Sequence, residues 1–122
     1  MAKTLKKRFD APDEVRPIAN GKVEVVKFDD AQVMRTTFDP KWRWSESIKP
    51  VVKTDSCQVH HLLYIVSGKM TVKMNDGSTV EFGPGDVGDI PPGHDAWVVG
   101  DEACVSLDFA GAANYAKSPA SK

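Results

Sequence analysis

The stretch from Cys57 to Trp97 constrains the fold of this chain more than any other. It holds a tight-turn signal, Asn-Asp-Gly at 75–77, between two apolar runs rich in β-forming residues. A second turn, Gly-Pro-Gly-Asp at 83–86, precedes a short apolar run and a Pro-Pro-Gly-His-Asp corner. Turns at such short intervals leave room for strands but not for long helices, so this stretch predicts antiparallel β-structure.

The hairpin around residues 75–77 is the clearest local prediction. Residues 69–75 alternate strictly, with the apolar side chains of Met70, Val72 and Met74 on one face. Residues 79–82 follow the turn and supply the second strand of the hairpin.

Further strands are predicted at 22–28, 31–38, 49–53 and 103–109. In the last of these, Cys104 lies on the face opposite the apolar residues, and no function is assigned to it; the apolar residues are Ala103, Val105, Leu107 and Phe109. Helical periodicity is nearly absent, so the chain is predicted to be all-β, a sandwich or a barrel.

The chain of 122 residues is long enough for one domain with its own hydrophobic core. We predict an N-terminal arm or edge segment at 1–21, a barrel at 22–110 and a tail at 111–122, which is either one helical turn or disordered. Trp42 and Trp44 have strand spacing, which predicts an extended segment with both indoles on one face. Packing in the core or a dimer is favoured over ligand stacking.

Charge and cysteine content limit the classes of function. The net charge of −1 gives no electrostatic reason to expect a nucleic-acid or membrane partner. No secretory signal or run of transmembrane length is recognised. Two cysteines are too few for a secreted disulfide framework, so a cytoplasmic protein with reduced thiols is expected. A single Cys57–Cys104 disulfide remains an alternative.

The order of these turns resembles that of a known superfamily. Gly85 and Asp86, followed after four residues by Pro-Pro-Gly at 91–93, resemble the second motif of the cupins, an RmlC-like fold. Residues 61–68 (HLLYIVSG) resemble the end of the first cupin motif. The resemblance implies a double-stranded β-helix, or jelly-roll, barrel that is commonly a homodimer, with any ligand site in the barrel mouth.

The resemblance also implies a metal site, but the residues differ from the usual three histidines and one glutamate. The glutamate position of the first motif is His61, and the two histidine positions are Asp55 and Cys57. The histidine position of the second motif is Ala96, with His94 two residues earlier.

Strand parity selects Cys57, His61 and His94 as candidate metal ligands. Cys57 and His61 share one face of an extended chain while His60 points away, and His94 shares a face with Ala96. Thiolate and imidazole suit zinc, or another divalent metal such as Fe, Mn or Ni. Four residues of straight strand span about 13 Å, so Cys57 and His61 share an ion only if the chain bends between them.

The same residues have structural interpretations. Cys57 is then a small buried hydrophobe, His61 a buried neutral histidine bonded to a backbone carbonyl, and His94 a turn residue. Asp95 either orients the His94 ring or caps a turn.

Three functions follow from these alternatives. The favoured hypothesis is a small cupin barrel that binds a divalent metal or a small polar molecule. The second is a metal-dependent enzyme, of isomerase or dioxygenase type, that uses the Cys/His site. The third is a metal-free barrel for partner binding, with Trp42, Trp44 and Trp97 as anchors.

Overall fold

A computed structural model describes residues 3–111 and residue 115. Within these residues the chain forms nine strands and two single helical turns. The strands are β1 (Glu14–Ile18), β2 (Gly21–Lys27), β3 (Gln32–Phe38), β4 (His61–Ser67), β5 (Lys69–Met74), β6 (Thr79–Phe82), β7 (Val87–Ile90), β8 (His94–Val99) and β9 (Cys104–Asp108), and the helical turns are α1 (Trp44–Ser47) and α2 (Lys49–Val52). No helix in this part of the chain has the length and apolar character needed to span a membrane.

The strands form two antiparallel sheets that enclose one core. The larger sheet has the order β1-β2-β3-β9-β4-β7, and the smaller has the order β6-β5-β8. Apolar side chains from both sheets fill the space between them, among them Val25, Met34, Ile65, Met70 and Val72. This arrangement is a jelly-roll barrel, which confirms the predicted all-β fold.

The predicted hairpin is confirmed as β5 and β6. Met70 lies opposite Phe82 and Lys73 lies opposite Thr79. Gly77 has φ 93°, a conformation that favours glycine, so the turn ends where the sequence places its glycine.

The segment between β3 and β4 differs from its prediction. Residues 49–53 are not a strand, because Lys49–Val52 form α2 with Pro50 near its start. Nor is the tryptophan pair on one extended segment, since Trp44 begins α1. Burial in the core is nevertheless confirmed, with Trp42 2% and Trp44 1% exposed.

β1 was not predicted as a strand. It lies at the edge of the larger sheet and pairs only with β2, so Pro17 can lack an N–H without breaking a second ladder. Before it, Lys7 binds Asp13 and the carbonyl of Lys27, which holds the preceding residues against the sheet.

β9 turns its polar face inward. Cys104, Ser106 and Asp108 are at most 2% exposed, so the apolar alternation marks the outer face of this strand. The hydroxyls of Thr36 and Ser106 bond to each other across the neighbouring strands. Both cysteines are free thiols. The prediction of a helical turn at 112–115 falls outside the described residues apart from Tyr115.

Candidate metal centre

The three candidate ligands meet at one end of the barrel. His61 is the first residue of β4 in the larger sheet, and His94 is the first residue of β8 in the smaller one. Both point inward, because each strand alternates from a buried first residue. Cys57 lies beside His94 in an isolated antiparallel bridge, with the Cys57 N–H donating to the His94 carbonyl at 2.7 Å.

The chain bends between Cys57 and His61 as it passes from one sheet to the other. Cys57 pairs with His94 at the edge of the smaller sheet, whereas His61 pairs with Ile90 in the larger sheet. Residues 58–60 form no regular strand between these two pairings. The bend brings Cys57 Sγ to 3.6 Å from His61 Nε2, so the separation expected of a straight strand does not apply.

The distances among the ligand atoms are close to those of a metal shell. The thiol and the two imidazoles each offer an atom that lies within 4.8 Å of the others. Ligand atoms of a tetrahedral zinc ion lie about 3.3–3.6 Å apart, given its bond lengths to sulfur and nitrogen. The Cys57–His61 separation of 3.6 Å already falls at this range, and no separation in the cluster exceeds it by more than about 1 Å. Small rotations of the three side chains would therefore bring their ligand atoms to the distances found around a zinc ion.

Hydrogen bonds outside the cluster fix which nitrogen each imidazole presents. His61 Nδ1 donates to the Asp108 carboxylate, and His94 Nδ1 donates to the Pro91 carbonyl at 2.8 Å. Since a carbonyl and a carboxylate only accept, both Nδ1 atoms carry the proton. In each neutral ring the lone pair is then on Nε2, and that of His61 faces Cys57 Sγ at 3.6 Å, as in metal-bound histidines whose second nitrogen is held by the protein.

Asp108 is a site residue that the sequence reasoning missed. Its side chain is 2% exposed, and Oδ1 accepts the backbone N–H groups of Ala110 and Gly111 at 2.9 Å each. Burial raises the pKa of this carboxyl, but the bond to His61 and the backbone donors outweigh burial and bring the pKa below its ordinary value. The sequence holds one hint of this role, because Asp108 is an acidic residue on the polar face of a strand that alternates between polar and apolar residues.

Gly111 permits the close packing around this pair. A Cβ atom at Gly111 would lie 2.7 Å from Asp108 Oδ2 and 2.9 Å from His61 Nδ1. Any side chain at this position would therefore force apart the hydrogen bond that orients His61.

Burial sets the protonation of the other two ligands in the metal-free protein. It raises the pKa of the Cys57 thiol to about 11, so the thiol is protonated at neutral pH. Burial lowers the pKa of His94 to about 4, although the Pro91 carbonyl partly opposes this shift, so the imidazole is neutral. A metal ion would then displace the proton of the Cys57 thiol and bind a His94 ring that is already neutral.

A small cavity of about 30 Å³ adjoins the cluster. Its lining is mainly apolar and aromatic and includes Trp42, Trp44, Ala96 and Tyr115. Tyr115 packs edge-on against the His61 ring at 5.1 Å between centroids. Its carbonyl accepts the Arg16 guanidinium at 2.6 Å, which ties this residue to β1.

Two further residues considered from the sequence lie outside the cluster. His60 is exposed and binds Asp89. Asp95 does not orient His94, because its Oδ1 accepts the N–H groups of Ser45 at 3.1 Å and Ala96 at 2.8 Å. Asp95 is therefore a capping residue, and the carboxylate that orients a histidine is Asp108.

A jelly-roll barrel with a histidine-containing cluster in its interior is the architecture of the cupin class. A family model described as the EutQ-like cupin domain matches residues 40–105. The chain belongs to this family. Among curated proteins, none matches the sequence.

Solved structures share the fold. A protein of unknown function from Rhizobium leguminosarum superposes with a TM-score of 0.65 at 17% identity, over 89% of this chain and 97% of that one. The polyketide cyclase RemF from Streptomyces resistomycificus gives 0.62 at 16% identity, over 88% and 79%. A variant of oxalate decarboxylase from Bacillus subtilis gives 0.54 at 26% identity, over 81% of this chain but only 28% of that one.

Proposed function

We propose that this cupin binds one divalent metal ion through Cys57 Sγ and the Nε2 atoms of His61 and His94. The observation that carries the proposal is the orientation of both imidazoles, whose Nδ1 protons are engaged by Asp108 and the Pro91 carbonyl. His61 Nε2 already faces Cys57 Sγ at 3.6 Å, so one thiol and one imidazole are in place for a shared ion.

Zinc is the ion that this ligand set favours. One thiolate and two neutral imidazoles match the sulfur and nitrogen ligands of tetrahedral zinc, and the three leave one position open for water or a small ligand. Harder ions such as magnesium or calcium prefer a shell of oxygen atoms, which this cluster lacks among the described residues.

Cobalt uptake tests the ligand set, because Co²⁺ replaces zinc and a bound thiolate gives it a strong near-ultraviolet charge-transfer absorption. Titration of the metal-free protein should saturate at one equivalent of cobalt and develop this absorption. Cys57→Ser should lose the charge-transfer band, because a hydroxyl does not supply a thiolate sulfur.

Cys104→Ala is the matched control, since Cys104 is a second buried free thiol outside the cluster. It should bind cobalt with an unchanged spectrum. If Cys57→Ser keeps the band, or if the parent protein takes up no cobalt, the proposal is wrong.

A further inference from the structure

Among the described residues, two tryptophans that line the cavity beside the cluster carry buried hydrogen-bond donors without acceptors. Trp42 Nε1 and Trp44 Nε1 are fully buried, and neither has a hydrogen-bond partner among the described residues. Both residues line the same cavity as His61 and His94. A third buried atom without a partner, Ser47 Oγ, belongs to a residue outside that lining.

Such donors are unusual in a packed interior. A buried N–H without a partner costs about 1–3 kcal/mol relative to the same group in water. The indoles are also held firmly, because Trp42 stacks on Phe38 at 3.7 Å between ring centroids and Trp44 is inserted into the core at the start of α1. Two fixed donors beside one cavity therefore point to an acceptor that occupies it.

The charges around the cavity select the kind of acceptor. Among the described residues, Asp108 is the one carboxylate in the lining, and it is already bound to His61 and to two backbone N–H groups. A divalent ion with a single thiolate ligand leaves one positive charge in the inner shell. A positive ion on one side and two N–H donors on the other favour an anionic oxygen ligand.

The volume of the cavity limits the size of the acceptor. At about 30 Å³ the cavity is far below the roughly 300 Å³ of a pocket for a drug-sized ligand. Sugars, nucleotides and amino acids are too large for this space, whereas a carboxylate of one or two carbons needs little rearrangement.

We propose that the cavity is the binding site for a small carboxylate, with one oxygen on the open position of the metal and the indole N–H groups of Trp42 and Trp44 as donors to the anion. The proposal rests on the metal-binding function, which supplies the positive charge. It assigns the two tryptophans a binding role in addition to their role in the core.

Formate, the smallest carboxylate, tests the proposal by NMR of the zinc-loaded protein. The three tryptophan side chains give three indole N–H signals, which single Trp→Phe variants assign. Formate should shift the signals of Trp42 and Trp44 downfield, with sodium chloride at equal ionic strength as the salt control. The signal of Trp97, which packs under Arg43 at 4.5 Å, should not move.

Affinity gives an independent measurement. Trp42→Phe and Trp44→Phe keep an aromatic ring but remove the donor, so each should weaken formate binding about tenfold, as expected for a hydrogen bond to a charged group. Trp97→Phe should leave the affinity unchanged. If a variant fails to fold, the indole shifts of the parent protein still decide the question.

The possible outcomes separate this proposal from the metal site. Zinc uptake without formate-dependent shifts at either indole overturns the carboxylate site and leaves the metal site standing. If the protein retains no zinc, the proposed function fails, and the carboxylate site fails with it, because no metal then offers the open position.

Discussion

At the scale of single residues, the site depends on groups that never touch its centre. The carboxylate of Asp108 and the carbonyl of Pro91 each hold one Nδ1 proton, so His61 and His94 present the lone pair that a metal requires. Gly111 lets the backbone pass close enough to donate to Asp108. The orientation of the ligands is therefore built into the fold before any ion arrives.

Asp108→Asn should weaken zinc binding by about 10–100-fold, the usual effect of losing a carboxylate behind a ligating histidine. The amide can still accept from His61, but it carries no charge and cannot also accept both backbone N–H groups that Oδ1 receives. The measurement is zinc affinity by competition with a chelator, with thermal unfolding recorded to establish that the variant is folded.

Asp89→Asn is the control for that experiment, because Asp89 also binds a histidine but does so on the surface. It should leave zinc affinity unchanged. Equal affinity in Asp108→Asn and the parent would show that Asp108 does not position the ligand.

The sequence indicates the three candidate ligands but not the residue that orients one of them. Cys57, His61 and His94 could be selected because parity within each strand is a local property. Asp108 could not be selected in the same way. The apolar residues of its strand face outward, whereas an alternating strand usually buries its apolar face. Which face of a strand is covered depends on the packing of both sheets, and a single strand does not carry that information.

At the scale of the elements, the segment at 58–60 and strand β1 contribute most to the geometry. The irregular segment carries the chain from one sheet to the other. It thereby brings Cys57 and His61, four residues apart, into side-chain contact. β1 contributes from the edge of the larger sheet, because Arg16 bonds the Tyr115 carbonyl on one side and Glu14 on the other. Arg16 thereby ties Tyr115, which lines the cavity beside the cluster, to the edge of the larger sheet.

Glu14→Gln should lower the free energy of unfolding by about 2 kcal/mol at pH 7, somewhat less than the full pKa shift implies because the side chain is a quarter exposed. The hydrogen bond from Arg16 is the main cause that lowers the pKa of Glu14 to about 2. The carboxylate thus stabilises the fold above pH 4.5, and this contribution is lost as the pH falls from about 5 to 2.

Denaturant unfolding of the metal-free protein at several pH values measures this effect. The difference between Glu14→Gln and the parent should shrink toward zero near pH 2. Asp10→Asn is the comparison, because the Asp10–Arg8 pair is largely exposed and should contribute little at any pH. A difference for Glu14→Gln that does not change with pH would contradict this assignment.

At the scale of the whole molecule, the barrel places the candidate centre where its two sheets meet. His61 belongs to the larger sheet, His94 belongs to the smaller one, and Cys57 bridges to the latter. A bound ion would therefore join the two sheets and stabilise the folded state by mass action, since the unfolded chain does not hold the ligands together.

The barrel itself could be predicted because closely spaced turns and strict alternation leave few alternatives to antiparallel strands. The helical turns at 44–52 could not, since tryptophan, isoleucine and valine favour strands, and the burial of Trp44 and Ile48 in the core is not visible in the local sequence. The distances between residues on different sheets could not be predicted from the sequence either, because they depend on how the two sheets are placed relative to each other.

X-ray absorption spectroscopy of the zinc-loaded protein, after free metal is removed, identifies the atoms that bind the ion. We predict one sulfur at about 2.3 Å from the zinc and imidazole nitrogens at about 2.0–2.1 Å, as the Cys57, His61 and His94 ligand set requires. A zinc shell of nitrogen and oxygen without sulfur, or a protein that retains no zinc, would contradict it.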